Sequence, residues 1–241
     1  MKLNKTFHDG GMVAWIALGI GALFIVSLLV YNATHKEPNI HTSSEPWNKA
    51  MTEGKMDAPN RIVEYTDYFC PYCTSFSEQT FSQRFQDEFI KNGKVRLEAR
   101  VVAILAQSGF SPNAEQGAGS AYCAADQNKF WEYSADIVPR IKKDFFDKGI
   151  GTKSVAVPKA IEKQPLSYFE ESAVNAELDV DTFMTCMGEK KYQKELDENT
   201  AKASRLGVRG LPHIVINDYT ANGFQGGWSS IESMMLAGGV E

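Results

Sequence analysis

The chain has 241 residues, of which 43% are hydrophobic and 23% are charged, and its formal net charge is −5 at pH 7. This composition suits one folded domain with an appendage and excludes an intrinsically disordered chain. Because the net charge is small and the basic residues do not cluster, the sequence also excludes a nucleic-acid-binding surface and a polybasic membrane patch.

The N-terminal region contains an uncharged run of 20 residues, from Met12 to Tyr31. A helix of this length spans the hydrocarbon core of a bilayer, which is about 30 Å thick. Lys2 and Lys5 precede the run, so the positive-inside rule predicts a single transmembrane anchor with residues 1–11 in the cytoplasm and the remaining chain outside. A cleavable signal peptide is the alternative, which the length of the run disfavours.

The next elements alternate between strands and helices. Residues 32–59 carry three prolines and little apolar periodicity, which predicts a tether, within which Trp47 and Met51 could begin a short helix that packs on the domain. A strand is predicted at residues 61–66 and a helix at residues 71–91, with a proline at its first turn. Apolar and polar residues alternate over residues 95–101, which predicts a half-buried strand.

Residues 113–206 contain several helix-like stretches and no convincing strand, and this segment is too long for a loop. It is therefore predicted to be a helical insertion. Strand patterns resume at residues 213–217, and a last helix begins near residue 229. The expected fold class is α/β, in which residues 60–112 and 207–241 form one domain around the insertion.

Four residues where the first strand gives way to the first helix, Cys70-Pro71-Tyr72-Cys73, carry the clearest chemistry. The N-terminus of a helix offers unpaired backbone N–H groups and a positive dipole end, which favour the thiolate of Cys70. Two cysteines at this spacing form a redox-active pair or half of a zinc site. Cys123 and Cys186 stand alone without a neighbouring histidine or cysteine, which disfavours zinc. An even number of cysteines also fits an oxidising compartment.

Glu64 lies on the strand that delivers this motif, and it shares one face of that strand with Thr66. Periodicity leaves two positions open for Glu64: beneath the motif, where it can take a proton from Cys73, or at the solvent face. Asp67 is a second acid nearby, and we interpret it as an ordinary turn residue. Pro212 precedes the later strand, and spacing alone favours a trans bond there, because only about 5–6% of X–Pro bonds are cis.

Three sequence blocks together resemble the DsbA family of extracytoplasmic thiol:disulfide oxidoreductases. They are EYTDYFCPYC at residues 64–73, AYCAA with KFWEY at residues 121–133, and GVRGLP at residues 207–212. The resemblance extends over roughly residues 55–238 and is to the membrane-anchored DsbA-like proteins of bacteria. It implies a thioredoxin fold interrupted by a helical domain, which agrees with the element order above.

The resemblance also implies the roles of four site residues. Cys70 becomes the exposed nucleophile and Cys73 the resolving thiol, with Glu64 as the buried acid beneath them. Pro212 becomes a cis-proline opposite the disulfide. The only redox group expected is the Cys70–Cys73 disulfide itself, with no metal or organic cofactor.

Substrate contacts and a second disulfide follow from the same resemblance. Leu211, which stands where Val or Thr is more usual, would present its backbone to an extended substrate segment. Phe69 and Tyr72 are expected to form an apolar collar for unfolded chains. Cys123 and Cys186 are expected to form a structural disulfide in the insertion.

The function implied is a membrane-tethered, monomeric oxidase that donates its disulfide to reduced exported proteins and is reoxidised by a quinone-coupled membrane protein. Tyr72 replaces the histidine of the best-known oxidases, which keeps an isomerase or reductase on the same fold as an alternative. A copper-handling protein that uses Cys70, Cys73 and His213 is an alternative of another class.

Overall fold

The computed structural model describes residues 20–22, 25–27, 46–107, 111–152, 159–221 and 223–241. The chain divides into two units, Met1–Ile40 and His41–Glu241. In the first, the described residues 20–22 and 25–27 are helical. No helix within the described ranges has both the length and the apolar character needed to cross a bilayer. Most of the predicted span Met12–Tyr31, residues 1–11 and residues 32–45 lie outside those ranges.

A five-stranded mixed sheet organises the second unit, in the strand order β1-β3-β2-β4-β5. The strands are β1 (Thr52–Glu53), β2 (Asn60–Thr66), β3 (Val95–Val101), β4 (His213–Ile216) and β5 (Tyr219–Thr220). β2 pairs in parallel with β3 and antiparallel with β4. The strand that precedes the cysteine motif is therefore central in the sheet, with a neighbour on each side.

Nine α-helices are found among the described residues of this unit. They are α1 (Pro71–Thr80), α2 (Gln83–Phe85), α3 (Ile104–Gln107), α4 (Ala114–Ala125), α5 (Phe130–Asp144), α6 (Ser167–Asn175), α7 (Val180–Glu189), α8 (Gln193–Arg205) and α9 (Trp228–Ala237). A π-helical segment, Gln86–Ile90, extends α2, and 3-10 turns occur at Lys49–Met51 and Phe146–Lys148.

The two faces of the sheet have separate apolar cores. On one face, α1, α2 and α9 cover the strands through Phe76, Phe85 and Ile231. On the other face, Ala203 of α8 packs with Trp47 and the strand residues. Since side chains alternate along a strand, Ile62 and Glu64 belong to the first face, whereas Val63 and Tyr65 belong to the second.

The inserted region is helical, as predicted, and has its own core. Helices α4 to α7 bury large aromatic and aliphatic side chains against each other, among them Tyr133, Ile137, Phe169 and Phe183. Cys123 of α4 and Cys186 of α7 are joined by a disulfide, with Cα atoms 5.9 Å apart. This crosslink ties the two helices together within the insertion.

Part of the expected tether belongs to the folded domain. Met51 is buried in the core, and Thr52–Glu53 adds an antiparallel edge strand to β3. The backbone N–H of Trp47 donates to Glu98 Oε1 at 2.9 Å. These contacts join residues far apart in sequence, so local composition did not reveal them.

Two further expectations differ from the structure. The helix predicted over residues 71–91 is interrupted because Ser82 is extended and its hydroxyl accepts the Phe85 N–H at 3.2 Å, starting α2. β3 is buried along its whole length rather than half-buried. Its polar face is covered by Trp47, whose ring lies 4.4 Å from the Arg100 guanidinium, and Arg100 pairs with Glu98 at 2.7 Å.

Candidate active site

The cysteine motif lies at the N-terminus of α1, where the central strand ends. Cys70 is the N-cap residue, with extended backbone angles, and Pro71 occupies the first turn. The backbone N–H of Cys73 donates to Cys70 Sγ at 3.4 Å. Both thiols are free in this structure. The sulfur of Cys70 therefore takes the place of the side-chain oxygen that usually caps a helix, at the positive end of the helix dipole.

Pro212, the residue immediately before the neighbouring strand β4, faces this motif. The Leu211–Pro212 peptide bond is cis, and β4 begins immediately after it at His213. Because His213 is the register partner of Tyr65, near the end of β2, the segment before β4 lies beside the motif. The Cys70 thiol donates to the Leu211 carbonyl oxygen at 3.5 Å. The structure thus brings Cys70, Leu211 and Pro212 together.

Glu64 lies in the interior beneath the thiols, so the solvent-face alternative is excluded. Its residue exposure is 4%. Burial raises the pKa of Glu64 from 4.5 to about 8, and a hydrogen bond with Thr66 opposes that rise. Its Oε1 atom has no hydrogen-bond partner among the described residues. A carboxyl with this pKa holds a proton at neutral pH and releases it within a physiological range.

Both cysteines are buried, with residue exposures of 4% for Cys70 and 1% for Cys73, so the expectation that Cys70 is exposed needs correction. Burial raises the pKa of Cys73 well above its usual value, and Cys70 and the charge of Glu64 raise it further. Cys73 is therefore a protonated thiol in the resting dithiol form. A nearby proton acceptor is needed before it can act as a nucleophile, and Glu64 is close enough to influence its titration.

The sequence predicts Asp67 to be an ordinary turn residue, but in the structure it lies in the interior beside the cysteine motif. Its side chain is fully buried, and one carboxylate oxygen accepts the Phe69 N–H at 2.9 Å. Burial raises the pKa of Asp67 from 3.8 to about 7. The one signal for it in the sequence is a second acid within the segment that joins β2 to Cys70.

The three residues expected to contact substrate lie in different environments. Tyr72 is 62% exposed beside Cys70, and Leu211 is half-buried. Phe69 is 0% exposed, and its ring packs on Phe145 and Phe169 of the insertion. The assignment of Phe69 to the substrate surface therefore needs correction: in this structure it anchors the motif to the helical domain.

His213 does not join the two cysteines. Its ring makes an edge-to-face contact with Tyr65, with ring centroids 5.6 Å apart, on the face of the sheet opposite Glu64. Among the described residues, no group of three His, Cys, Asp or Glu side chains is arranged to hold a metal ion. The copper alternative thus gains no geometric support from the described part of the chain.

A reduced Cys-x-x-Cys pair at a helix N-terminus, facing a cis-proline and lying above a buried carboxyl, defines a thiol:disulfide oxidoreductase on a thioredoxin fold. The thioredoxin family profile matches residues 48–227. The chain belongs to the thioredoxin family, and its similarity to disulfide bond formation proteins supports a DsbA-like thiol:disulfide oxidoreductase.

Its relatives and structural neighbours agree with this assignment. The chain is 26% identical over 211 residues to "Probable disulfide bond formation protein D" of Bacillus anthracis, covering 88% of this chain and 89% of that one. It is 24% identical over 197 residues to disulfide bond formation protein D of Bacillus subtilis, covering 80% and 79%. The fold matches oxidised BdbD of Bacillus subtilis with a TM-score of 0.60 at 16% identity, covering 78% and 91% of the two chains. Chlamydia trachomatis DsbA gives 0.59 at 16% identity, covering 81% and 94%.

Proposed function

We propose that the chain is an oxidase that donates the Cys70–Cys73 disulfide to reduced proteins outside the cytoplasm. The observation that carries this proposal is the position of the Cys70 sulfur as the cap of α1, where it receives the Cys73 N–H. A helix N-terminus stabilises the thiolate and therefore the reduced enzyme. The more stable the reduced form, the stronger an oxidant the disulfide is. The names of the relatives, disulfide bond formation protein D, agree with this direction.

The reaction proceeds through a mixed disulfide at Cys70. A substrate thiolate attacks Cys70 Sγ, the Cys70–Cys73 bond breaks, and Cys73 leaves as a thiolate that takes a proton. A second substrate thiolate then attacks the substrate sulfur of the mixed disulfide, and Cys70 leaves as a thiolate. Two electrons pass from the substrate dithiol to the enzyme. Glu64 supplies and receives the proton that Cys73 exchanges.

The backbone of the half-buried Leu211 and the side chain of the exposed Tyr72 form the proposed substrate surface. An extended substrate segment would add beside the Leu211–Pro212 bond and pair with its backbone, with Tyr72 contacting apolar side chains. Such recognition depends on backbone more than on sequence. It therefore suits many unfolded proteins.

The proposed location is the outer face of the cytoplasmic membrane, with the chain anchored as a monomer by Met12–Tyr31. The charge pattern of the N-terminus supports this location. The Cys123–Cys186 disulfide also supports it, because such bonds persist in oxidising compartments. Reoxidation of the dithiol requires an electron acceptor, for which we propose a quinone-coupled membrane protein.

Equilibration of the purified chain with glutathione redox buffers tests the direction of electron flow. A reduction potential of about −120 mV for the Cys70–Cys73 couple is expected for an oxidase, whereas a potential of about −270 mV would identify a reductase. Oxidative refolding of a reduced, unfolded protein is the companion assay. Cys70→Ser should abolish this activity. Cys123→Ser, which opens the other disulfide, is the matched control and should retain the activity.

An isomerase or reductase is the second candidate. Tyr72, which is exposed and neutral, adds no positive charge beside the Cys70 thiolate. An 82-residue segment is also 28% identical to thiol:disulfide interchange protein DsbG of Escherichia coli, over 34% of this chain. A potential close to that of protein disulfide isomerase, about −180 mV, together with rearrangement of a scrambled substrate, would favour this candidate.

A further inference from the structure

His213 directly follows the cis Leu211–Pro212 bond and is the first residue of β4. The exchange reaction itself does not use its side chain. The imidazole is half-buried and packs edge-to-face on the ring of Tyr65, its register partner on β2, with ring centroids 5.6 Å apart. His213 therefore joins the central strand of the sheet to the loop that faces Cys70.

Tyr65 is a rigid support for this contact. Its side chain is fully buried, and its hydroxyl accepts a hydrogen bond from Arg100 Nη1 at 2.7 Å. The ring of Trp47 packs edge-to-face on Tyr65, with centroids 5.5 Å apart. Arg100 is itself buried and paired with Glu98 at 2.7 Å. Because the tyrosine is held both at its hydroxyl and at its ring, a second ring that packs on it is held in place as well.

The loop before β4 is attached to this face of the sheet on both sides of Pro212. The side chain of Leu211 packs against the apolar cluster that contains Tyr65, and His213 packs on Tyr65 itself. The backbone between these attachments lies beside the motif, where the Leu211 carbonyl oxygen is 3.5 Å from the Cys70 sulfur. The side chains at positions 211 and 213 thus fix where the backbone of the loop stands relative to Cys70.

We propose that His213 is a positioning residue for substrate binding: its ring, packed on Tyr65, holds the Leu211–Pro212 backbone where an extended substrate segment pairs with it. Loss of the ring frees one end of the loop, so a peptide that must pair with this backbone reacts more slowly at Cys70. A small dithiol needs no such pairing and reacts as before. This inference rests on the proposed substrate surface and on the proposed role of Cys70.

Two reductants of different size separate this role from a purely structural one. The oxidised full-length chain is mixed with an unstructured peptide that contains two cysteines or, separately, with dithiothreitol. In each reaction a thiolate attacks Cys70 Sγ, Cys73 leaves, and the second thiolate displaces Cys70 from the mixed disulfide. The enzyme gains two electrons and the dithiol becomes a disulfide. Acid quenching, alkylation and mass measurement follow the appearance of the Cys70 and Cys73 thiols with time.

His213→Ala should slow the reaction with the peptide about tenfold and change the reaction with dithiothreitol by less than about twofold, as expected for loss of one aromatic pair that orients the loop. His213→Phe keeps a ring against Tyr65 and should restore the peptide rate to within about twofold of wild type. Tyr219→Ala is the matched control, because it removes another half-buried ring, from the adjacent strand β5, that packs on a different apolar cluster. It should change neither rate.

A wild-type peptide rate in His213→Ala would overturn the inference, as would equal slowing with both reductants or a slow peptide reaction in His213→Phe. If the alanine variant does not fold, His213→Gln, which has a polar side chain without a ring, provides the test: it should slow only the peptide reaction, and an unchanged rate contradicts the proposal. Cys70→Ser must lose both reactions, otherwise the proposed role of Cys70 is wrong. A wild-type chain that oxidises dithiothreitol but not the peptide refutes the proposed substrate surface, and this inference with it.

Discussion

Replacement of Glu64 by glutamine should change how the stability of the protein depends on pH. Glu64 is 4% exposed, and burial raises its pKa from 4.5 to about 8. Glutamine has nearly the same shape and cannot ionise. A comparison of the two proteins therefore isolates the free energy associated with this one carboxyl.

The sign of the effect follows from proton binding in the two states. Below about pH 4.5 the carboxyl is protonated whether the chain is folded or unfolded, so it contributes no pH dependence. Between about pH 4.5 and pH 8 the unfolded chain releases the proton while the folded chain keeps it, so rising pH lowers the free energy of unfolding. At about 1.4 kcal/mol per pH unit, the loss reaches about 5 kcal/mol near pH 8.

Urea denaturation of the reduced wild-type and Glu64→Gln proteins, followed by circular dichroism from about pH 4 to pH 8, measures this difference. The variant should gain stability relative to wild type as pH rises, by up to about 5 kcal/mol. Glu189→Gln, the same substitution at an exposed position in the insertion, is the matched control. A difference for Glu64→Gln that stays constant with pH would refute the assignment of a raised pKa to this carboxyl.

Three further predictions concern stability, and urea denaturation checks each one. Cys123→Ser, which opens a disulfide with a sequence separation of 63, should cost about 4 kcal/mol without changing the rate of thiol exchange at Cys70. Arg100→Met leaves the buried Glu98 unpaired and should cost about 3–5 kcal/mol, and the double variant with Glu98→Gln should cost less. Gly119→Ala places a methyl group against the ring of the buried Tyr192 and should lower the free energy of unfolding by about 1–3 kcal/mol. Gly188→Ala adds a methyl group in open space and should stabilise its helix by up to about 1 kcal/mol.

The parts of the site that could be predicted from the sequence are those determined by neighbours along the chain. The Cys-x-x-Cys spacing, the proline at the first turn and the preceding apolar strand together place both thiols at a helix N-terminus. Alternation along β2 also put Glu64 and Thr66 on one face. It did not decide whether that face is buried, because that depends on where α1, α2 and α9 pack.

The parts that could not be predicted depend on contacts between distant segments. From the sequence, Phe69 is expected to be an exposed aromatic residue beside a reactive cysteine. In the structure, Phe145 and Phe169 of the insertion pack on its ring and bury it. Aspartate is a typical turn residue, and only the burial of Asp67 in the folded protein distinguishes it from an ordinary turn residue. Residues 46–53 lack apolar periodicity, yet they complete the sheet through Trp47 and the edge strand β1.

Two glutamates of the sheet, Glu64 and Glu98, are buried on opposite faces and have different neighbours. Glu98 accepts from Arg100 at 2.7 Å and from the Trp47 backbone at 2.9 Å, so its charge is compensated. No cation among the described residues acts on Glu64, and its pKa rises instead. An arginine beside Glu64 would keep that carboxyl ionised and lower its pKa, so the carboxyl would be a weaker acceptor for the proton that Cys73 releases. A neutral carboxyl that exchanges a proton avoids this, so the uncompensated acid belongs beneath the thiols and the compensated one on the far face.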